Sequence, residues 1–141
     1  MAEKLSNRRL GMAWAALCAV LAVHVADEAL TDFLGWWNPM VESLRARSPW
    51  VPFPTFRFDV WLGLLAAGVL VLSYLTRYAL RGASAMRPLA MAFSVVMIAN
   101  GLGHIMVSIY LGRMAPGVYS SPLVLAAGAY LLWAAILVGR R

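Results

Sequence analysis

Residues 10–30 read LGMAWAALCAVLAVHVADEAL, and this stretch decides what kind of fold the chain adopts. It carries no formal charge before Asp27 and is long enough for a membrane-spanning helix, which needs about 20 apolar residues. Three ionisable side chains, His24, Asp27 and Glu28, lie at its end. Such groups cost about 3 kcal/mol or more each at the bilayer centre, so they persist mainly where they pair, face other helices or do chemistry. We therefore interpret residues 24–28 as the functional centre of the protein.

The composition of the whole chain favours a membrane protein. Of its 141 residues, 62% are hydrophobic and only 13% are charged, which lies outside the range of ordinary soluble domains. About four spanning helices leave no room for a separate soluble catalytic domain. The net charge is +6, but the basic residues stand in short clusters between apolar runs, which argues against a nucleic-acid partner. The single cysteine, Cys18, excludes an internal disulfide.

The hydropathy pattern predicts an all-α fold, a four-helix transmembrane bundle that forms one domain over residues 1–141. The predicted spans are residues 10–30, 59–80, 88–111 and 121–139. Residues 31–58, between the first two spans, are rich in Trp, Pro and Phe and cannot form one spanning helix. We predict here an amphipathic helix in the membrane interface, with Asn38 and Pro39 as its cap and first residue. It is either a lid over the functional centre or an aromatic anchor of the loop.

Lysine and arginine set the predicted orientation, because they accumulate on the side of a membrane that is not translocated. In this topology eight of them lie on the side of the termini: Lys4, Arg8, Arg9, Arg77, Arg81, Arg87, Arg140 and Arg141. Four lie on the other side: Arg45, Arg47, Arg57 and Arg113. The bias predicts that both termini are cytoplasmic and that the functional centre lies toward the opposite face.

Polar residues of the first and third spans are predicted to meet. His24 and Glu28 are four residues apart and share a helix face, and Asp27 is close to that face. Asn100 and His104 are also four apart on the third span. At about 1.5 Å rise per residue, the two histidines reach depths within a few Å of each other. The sequence thus predicts one layer with two imidazoles, two carboxylates and an amide.

Several chemistries suit such a layer, and the residue types alone leave them open. His24, Glu28 and His104, joined by Asp27 or Asp59, offer the ligands of one divalent metal ion such as Zn, Mn or Fe. The same groups suit a metal-free acid/base site, because burial moves carboxylate and imidazole pKa values toward neutrality. A relay of protons or cations is the third reading. The simplest one is a buried network that joins two helices, at about 0.6 kcal/mol per contact.

Small residues near this layer have simpler interpretations. Gly101 and Gly103 flank Leu102 on the third span, where they serve either a close helix contact or space for a substrate, and packing is the simpler choice. Ser120 and Ser121 have no base nearby in the predicted topology. We therefore expect them to form a turn and helix cap rather than to act as nucleophiles.

The motifs resemble a known family, the HXXEE domain of small bacterial integral membrane proteins. Its His-x-x-Glu-Glu motif corresponds to residues 24–28, and its second histidine corresponds to His104. Its Tyr-x-Pro-Gly motif corresponds to residues 114–117. The resemblance covers nearly the whole chain and implies a bacterial inner-membrane protein, but it implies no reaction.

Two positions depart from the family motifs. Asp27 stands where the motif has its first glutamate, which keeps a carboxylate but shortens its reach. Met114 stands where the motif has a tyrosine, which removes a hydroxyl. If that hydroxyl is essential in the family, this member is either impaired or uses another group, such as nearby Tyr110 or Tyr119.

The function that we predict from the sequence is a membrane-embedded enzyme acting on a lipid-soluble substrate by isomerisation, hydration or cyclisation. His24 and His104 would be bases or metal ligands, and Glu28 the acid or third ligand. Asp27 would orient them, and Asn100 would donate to a developing oxyanion. The alternatives are a proton- or metal-linked transporter or channel subunit, which predicts a homo-oligomer, and a structural membrane subunit. The expected partners are the lipid bilayer and a hydrophobic small molecule.

Overall fold

Five α-helices make up the part of the chain that the structure, a computed structural model, describes, residues 2–138. They are α1 (Ala2–Leu30), α2 (Phe33–Arg47), α3 (Phe58–Leu80), α4 (Met86–Leu111) and α5 (Ser121–Val138). No strand occurs in this range, so the predicted all-α class is confirmed. Arg140 and Arg141, which the predicted orientation uses, lie outside the described residues.

Three of these helices are long and apolar enough to cross a membrane. The segments are Leu5–Leu30 of α1, Phe58–Leu80 of α3 and Met86–Leu111 of α4. The apolar part of α5, Ser121–Leu137, is shorter. At 1.5 Å per residue its 17 residues measure about 26 Å, slightly less than a hydrocarbon core of about 30 Å. The structure therefore supports three candidate spans by length and composition.

Helix α2 follows α1 after only two residues, and its predicted start at Asn38 is wrong. Asp32 adopts the left-handed conformation (φ 56°) that Asp tolerates better than most residues. Its carboxylate caps α2 by accepting a hydrogen bond from the Gly35 amide at 3.2 Å. Asn38 and Pro39 therefore lie inside the helix, because the cap is already supplied six residues earlier.

The segment at 48–57 returns along α2 and is fastened to it by hydrogen bonds. The Asn38 side chain donates to the Phe56 carbonyl (2.9 Å) and accepts from the Phe56 amide (3.1 Å). The Trp37 indole donates to the Pro54 carbonyl (2.9 Å). This pairing explains why an asparagine stands in the middle of the helix.

The long helices pack in the order α3, α1, α5, α4, with little contact between α3 and α4. Trp14 of α1 lies at the centre of this packing and is fully buried. Its indole N–H donates to the Leu72 carbonyl of α3 (2.8 Å), and its ring lies 5.1 Å from that of Phe93 on α4. Helix α3 packs mainly on α1 and is largely exposed, because only Trp61 and Ala79 on it are buried.

The two glycines of the third predicted span have different surroundings. A Cβ on Gly101 would lie 3.1 Å from the Ser121 carbonyl oxygen and 3.0 Å from Leu125, so α4 and α5 pack closely there. A Cβ on Gly103 would meet no atom within 4 Å. Close packing thus accounts for Gly101, whereas Gly103 opens a space.

The bundle has two chemically different ends. At one end Gly11 contacts Leu80, and Arg87 donates to the Ala135 carbonyl (3.2 Å). We name it the basic end, because five arginines lie there: Arg8, Arg9, Arg77, Arg81 and Arg87. At the opposite end, which we name the site end, the C-termini of α1 and α4 meet α2 and the loop at 112–120.

Candidate functional site

Two histidines and a glutamate converge at the site end. His24 Nε2 lies 3.7 Å from Glu28 Oε1, and His104 Nε2 lies 3.1 Å from the same oxygen. The imidazole rings are 4.9 Å apart in an edge-to-face arrangement. All three side chains are at most 10% exposed. The structure thus brings together the three residues predicted as metal ligands.

A serine orients His24. Ser120 Oγ lies 2.7 Å from His24 Nδ1 and 2.6 Å from Asp27 Oδ2, which also accepts from the Ser120 amide at 2.8 Å. The hydroxyl has one hydrogen, and the carboxylate is its strongest nearby acceptor. Ser120 therefore accepts from His24 Nδ1–H. We assign the tautomer of His24 from this network: its Nε2 carries a lone pair.

A backbone carbonyl orients His104 in the same way. His104 Nδ1 lies 2.6 Å from the Pro116 carbonyl oxygen, which only accepts hydrogen bonds. Nδ1 therefore carries the proton, and in the neutral ring Nε2 carries a lone pair directed at Glu28. Metal-bound histidines almost always donate their second N–H to such partners, which fix the ring and its tautomer.

Two buried polar atoms of the site lack a hydrogen-bond partner among the described residues. They are His24 Nε2 and Asn100 Oδ1, and the amide of Asn100 lies beside His24. A proton shared by His104 and Glu28 would satisfy those two residues but would leave His24 Nε2 unpaired. Such atoms are uncommon in folded proteins, so the two are candidates for contact with an additional group. A cation between the three side chains would satisfy His24.

Gly117 allows the loop to approach the site. Its φ is +79°, and a Cβ there would lie 2.8 Å from the His104 ring and 3.0 Å from Glu28. Its amide donates to the Thr31 hydroxyl (3.1 Å), which ties the loop to the end of α1. Pro116 and Gly117 of the family-like motif thus position His104, by a carbonyl and by the absence of a side chain.

A cavity of about 220 Å³ lies beside His104, between α2 and α4. We name it the aromatic cavity, and its lining residues are Phe33, Trp36, Trp37, Asn100, Gly103, His104, Val107, Ala115 and Pro116. The Phe33 ring lies 5.9 Å from the His104 ring. Helix α2 therefore covers the site, and Gly103 supplies part of its free space.

The remaining predicted residues have other surroundings. Asp27 is turned toward Ser120 and is outside the group of possible metal ligands. Asp59 is 65% exposed and pairs with Arg57 (2.9 Å), so it does not join the site. Asn100 lines the aromatic cavity.

The tyrosines proposed as substitutes for the motif hydroxyl do not belong to the group of three ligands either. Tyr110 is 88% and Tyr119 64% exposed. Met114 is 58% exposed as well. The motif tyrosine position therefore lies at the surface of the site end rather than between the histidines.

Sequence reasoning missed Ser120, and the expectation that it has no base nearby is wrong. The bend at Pro116-Gly117 brings it back to α1, 96 residues away from His24 in the chain. The only sequence signal is its position three residues after the Pro-Gly pair.

Comparison with known proteins identifies the family of the chain. A family described as "Protein of unknown function with HXXEE motif" matches residues 14–132, which include every residue of the site. No curated protein and no solved structure matches the chain at a significant level. The family match covers most of the chain and confirms the resemblance found in the sequence. The chain therefore belongs to the HXXEE family.

Proposed function

We propose that this protein is a membrane-embedded metalloenzyme acting on a lipid-soluble substrate, and that His24, Glu28 and His104 bind its metal ion. The observation that carries the proposal is the unpaired, buried Nε2 of His24, which faces Glu28 beside a second oriented imidazole. A metal ion between the three side chains would contact His24, Glu28 and His104 at once. A proton shared by His104 and Glu28 would leave Nε2 of His24 without a partner.

The donor atoms fit a transition metal ion. They lie within 4.8 Å of one another, and donors on one tetrahedral zinc ion are about 3.3 Å apart. Small movements of the two imidazole rings would bring the donor atoms to this separation. Two imidazoles and a carboxylate suit Zn, Mn or Fe and leave a coordination position open, as in catalytic zinc sites. Such an ion would act as a Lewis acid or would activate a bound water molecule.

The chain's own residues would do the rest. Ser120 and the Pro116 carbonyl hold the two imidazoles in the ligating tautomer, and Asp27 holds Ser120. Asn100 lies on the wall of the aromatic cavity and would bind a polar group of the substrate. The apolar lining around it favours a hydrocarbon substrate, which would enter from the bilayer. The reaction classes that suit this site are isomerisation, hydration and cyclisation.

The membrane arrangement is part of the proposal. In it α1, α3, α4 and α5 each cross the bilayer, and α2 lies in the interface above the site. Both termini are cytoplasmic in a bacterial inner membrane, so the basic end faces the cytoplasm. The positive-inside tendency of arginine and lysine supports this orientation.

Metal analysis of the purified protein tests the proposal. We expect one equivalent of Zn, Mn or Fe per chain, lost in His24→Ala, Glu28→Gln and His104→Ala. Ser120→Ala should weaken metal affinity by about 10- to 100-fold without abolishing binding, because it removes only the partner of His24. Asp59→Asn is the matched control, since it neutralises an exposed carboxylate of the same end and should retain the metal.

Two outcomes would contradict the proposal. One is a folded wild-type protein that binds no transition metal after incubation with each ion. The other is a set of variants that unfold at lower temperature yet hold as much metal as the wild type, which would indicate a structural polar network instead. Helical circular dichroism of each variant separates loss of metal from loss of fold.

A further inference from the structure

A second and larger cavity lies at the site end, beside the aromatic cavity. We name it the vestibule, and its volume is about 550 Å³. It is lined by Thr31, Asp32, Gly35, Trp36, Pro39, Met40, Arg113, Met114 and Pro116. This volume lies within the range of small-molecule sites, about 300–1,000 Å³, whereas the aromatic cavity alone is below it. A ligand that reaches His104 would therefore extend beyond the aromatic cavity.

Trp36 and Pro116 line both cavities, so the two cavities share a wall formed by these residues. Their walls differ in chemistry. The aromatic cavity is mostly hydrocarbon, with Asn100 and His104 as its polar side chains. Of the two cavities, only the vestibule is lined by acidic or basic side chains other than histidine, and these are Asp32 and Arg113. This arrangement matches a molecule with a charged head and an apolar body.

The two charges of the vestibule are available to a ligand. Within the described residues, neither Asp32 nor Arg113 has an ion-pair partner within 4.0 Å, although both line the same cavity. Asp32 accepts one hydrogen bond from the Gly35 amide through Oδ1, and its second oxygen is left for another donor. An arginine suits a phosphate, and a carboxylate suits an ammonium group.

We propose that the vestibule binds the head of a zwitterionic phospholipid that carries both a phosphate and a primary ammonium group. Arg113 binds the phosphate, Asp32 binds the ammonium group, and part of the apolar body enters the aromatic cavity beside His104. The proposal rests on the proposed function in that it names the substrate class of the same site.

Lipid binding to the purified full-length protein tests the head-group assignment. The probes are dihexanoyl phosphatidylethanolamine, phosphatidylglycerol, which lacks the ammonium group, and phosphatidylcholine, whose ammonium group has no N–H. Native mass spectrometry in detergent compares their affinities. We expect the ethanolamine lipid to bind about tenfold more tightly than either comparator, since each lacks one charge-assisted contact. Free phosphoethanolamine should compete only weakly, because it lacks the apolar body.

Matched variants assign the two contacts. Arg113→Gln should weaken ethanolamine-lipid binding about tenfold. Asp32→Asn should remove the preference over phosphatidylglycerol, and asparagine keeps both the helix cap and the left-handed conformation. Arg57→Gln is the control, because this exposed arginine of the site end is paired with Asp59. It should leave lipid binding unchanged.

Equal affinity for the three lipids, or equal losses in Arg113→Gln and Arg57→Gln, would overturn the assignment. Metal content measured on the same samples keeps the two proposals apart. A protein that holds metal but does not discriminate head groups contradicts only the lipid assignment. A protein that discriminates head groups without binding metal contradicts only the metalloenzyme.

Discussion

At the scale of single residues, the site depends on groups that hold the two imidazoles in place. Ser120 and the Pro116 carbonyl each bind one Nδ1, so both Nε2 atoms are directed at Glu28. Gly117 contributes by having no side chain, because a Cβ at this position would lie too close to His104. The loop at 112–120 is therefore as much a part of the site as the helices.

Substitution of Gly117 separates backbone strain from this close approach. Gly112→Ala should cost about 1–2 kcal/mol of unfolding free energy, because φ there is +62° and a Cβ would meet no atom within 4 Å. Gly117→Ala has similar strain and must also displace His104 or Glu28, so we expect a larger loss. Only Gly117→Ala should weaken metal binding. Thermal unfolding with metal titration checks both, and equal effects of the two variants on metal affinity would contradict the role of Gly117.

At the scale of elements, α2 and the segment at 48–57 form one cover over the site. The reciprocal pair between Asn38 and the Phe56 backbone joins them, with Trp37 and Pro54 adding a second connection. Phe33, Trp36 and Trp37 of the same helix line the aromatic cavity. A substitution that breaks these hydrogen bonds should therefore increase the mobility of α2 over the aromatic cavity.

Asn38→Ala tests this connection. The variant leaves the Phe56 amide without its acceptor, so hydrogen exchange at that amide should accelerate about tenfold. Asn38→Asp keeps an acceptor for this amide and should retain most of its protection. Glu42→Ala, at an exposed position of the same helix, is the control. Unchanged exchange in Asn38→Ala would mean that other contacts hold the segment.

At the scale of the whole molecule, charge is distributed unevenly between the ends. Five arginines occupy the basic end, whereas the site end has four, Arg45, Arg47, Arg57 and Arg113, together with the acidic residues Asp27, Glu28, Asp32, Glu42 and Asp59. Helix α3 exposes most of its apolar surface, as expected of a helix that faces lipid rather than water. The proposed orientation rests on the lysines and arginines alone, because acidic residues contribute little to the positive-inside tendency.

Cysteine labelling tests the orientation. In a Cys18→Ala background, we expect Thr55→Cys at the site end to react with an impermeant maleimide in intact spheroplasts. Ser84→Cys, in the turn between α3 and α4, should react only after the membrane is opened. Both positions are exposed, so access to the reagent decides the result. The reverse pattern would mean that the protein is inverted, and labelling of both in intact spheroplasts would show that α3 does not cross.

The sequence by itself determined the all-α class, the approximate extents of the long helices, and which side chains are candidates for the site. Apolar runs and the i, i+4 spacing of His24 with Glu28 and of Asn100 with His104 are local properties, so no tertiary information is needed to find them. The start of α2 was harder, because Asp32 in a left-handed conformation competes with Asn38-Pro39 as a cap and only the contact with Phe56 explains Asn38.

The tertiary structure alone decided how the site is completed. Ser120, Pro116 and Gly117 act through a loop that folds back onto α1, and contacts between residues so distant in the chain leave no periodic signal. It also decided that Gly103 borders a cavity whereas Gly101 packs on α5, since both glycines lie in the same apolar pattern. The direction of each imidazole depends on the partner of its Nδ1, and that partner comes from another part of the chain.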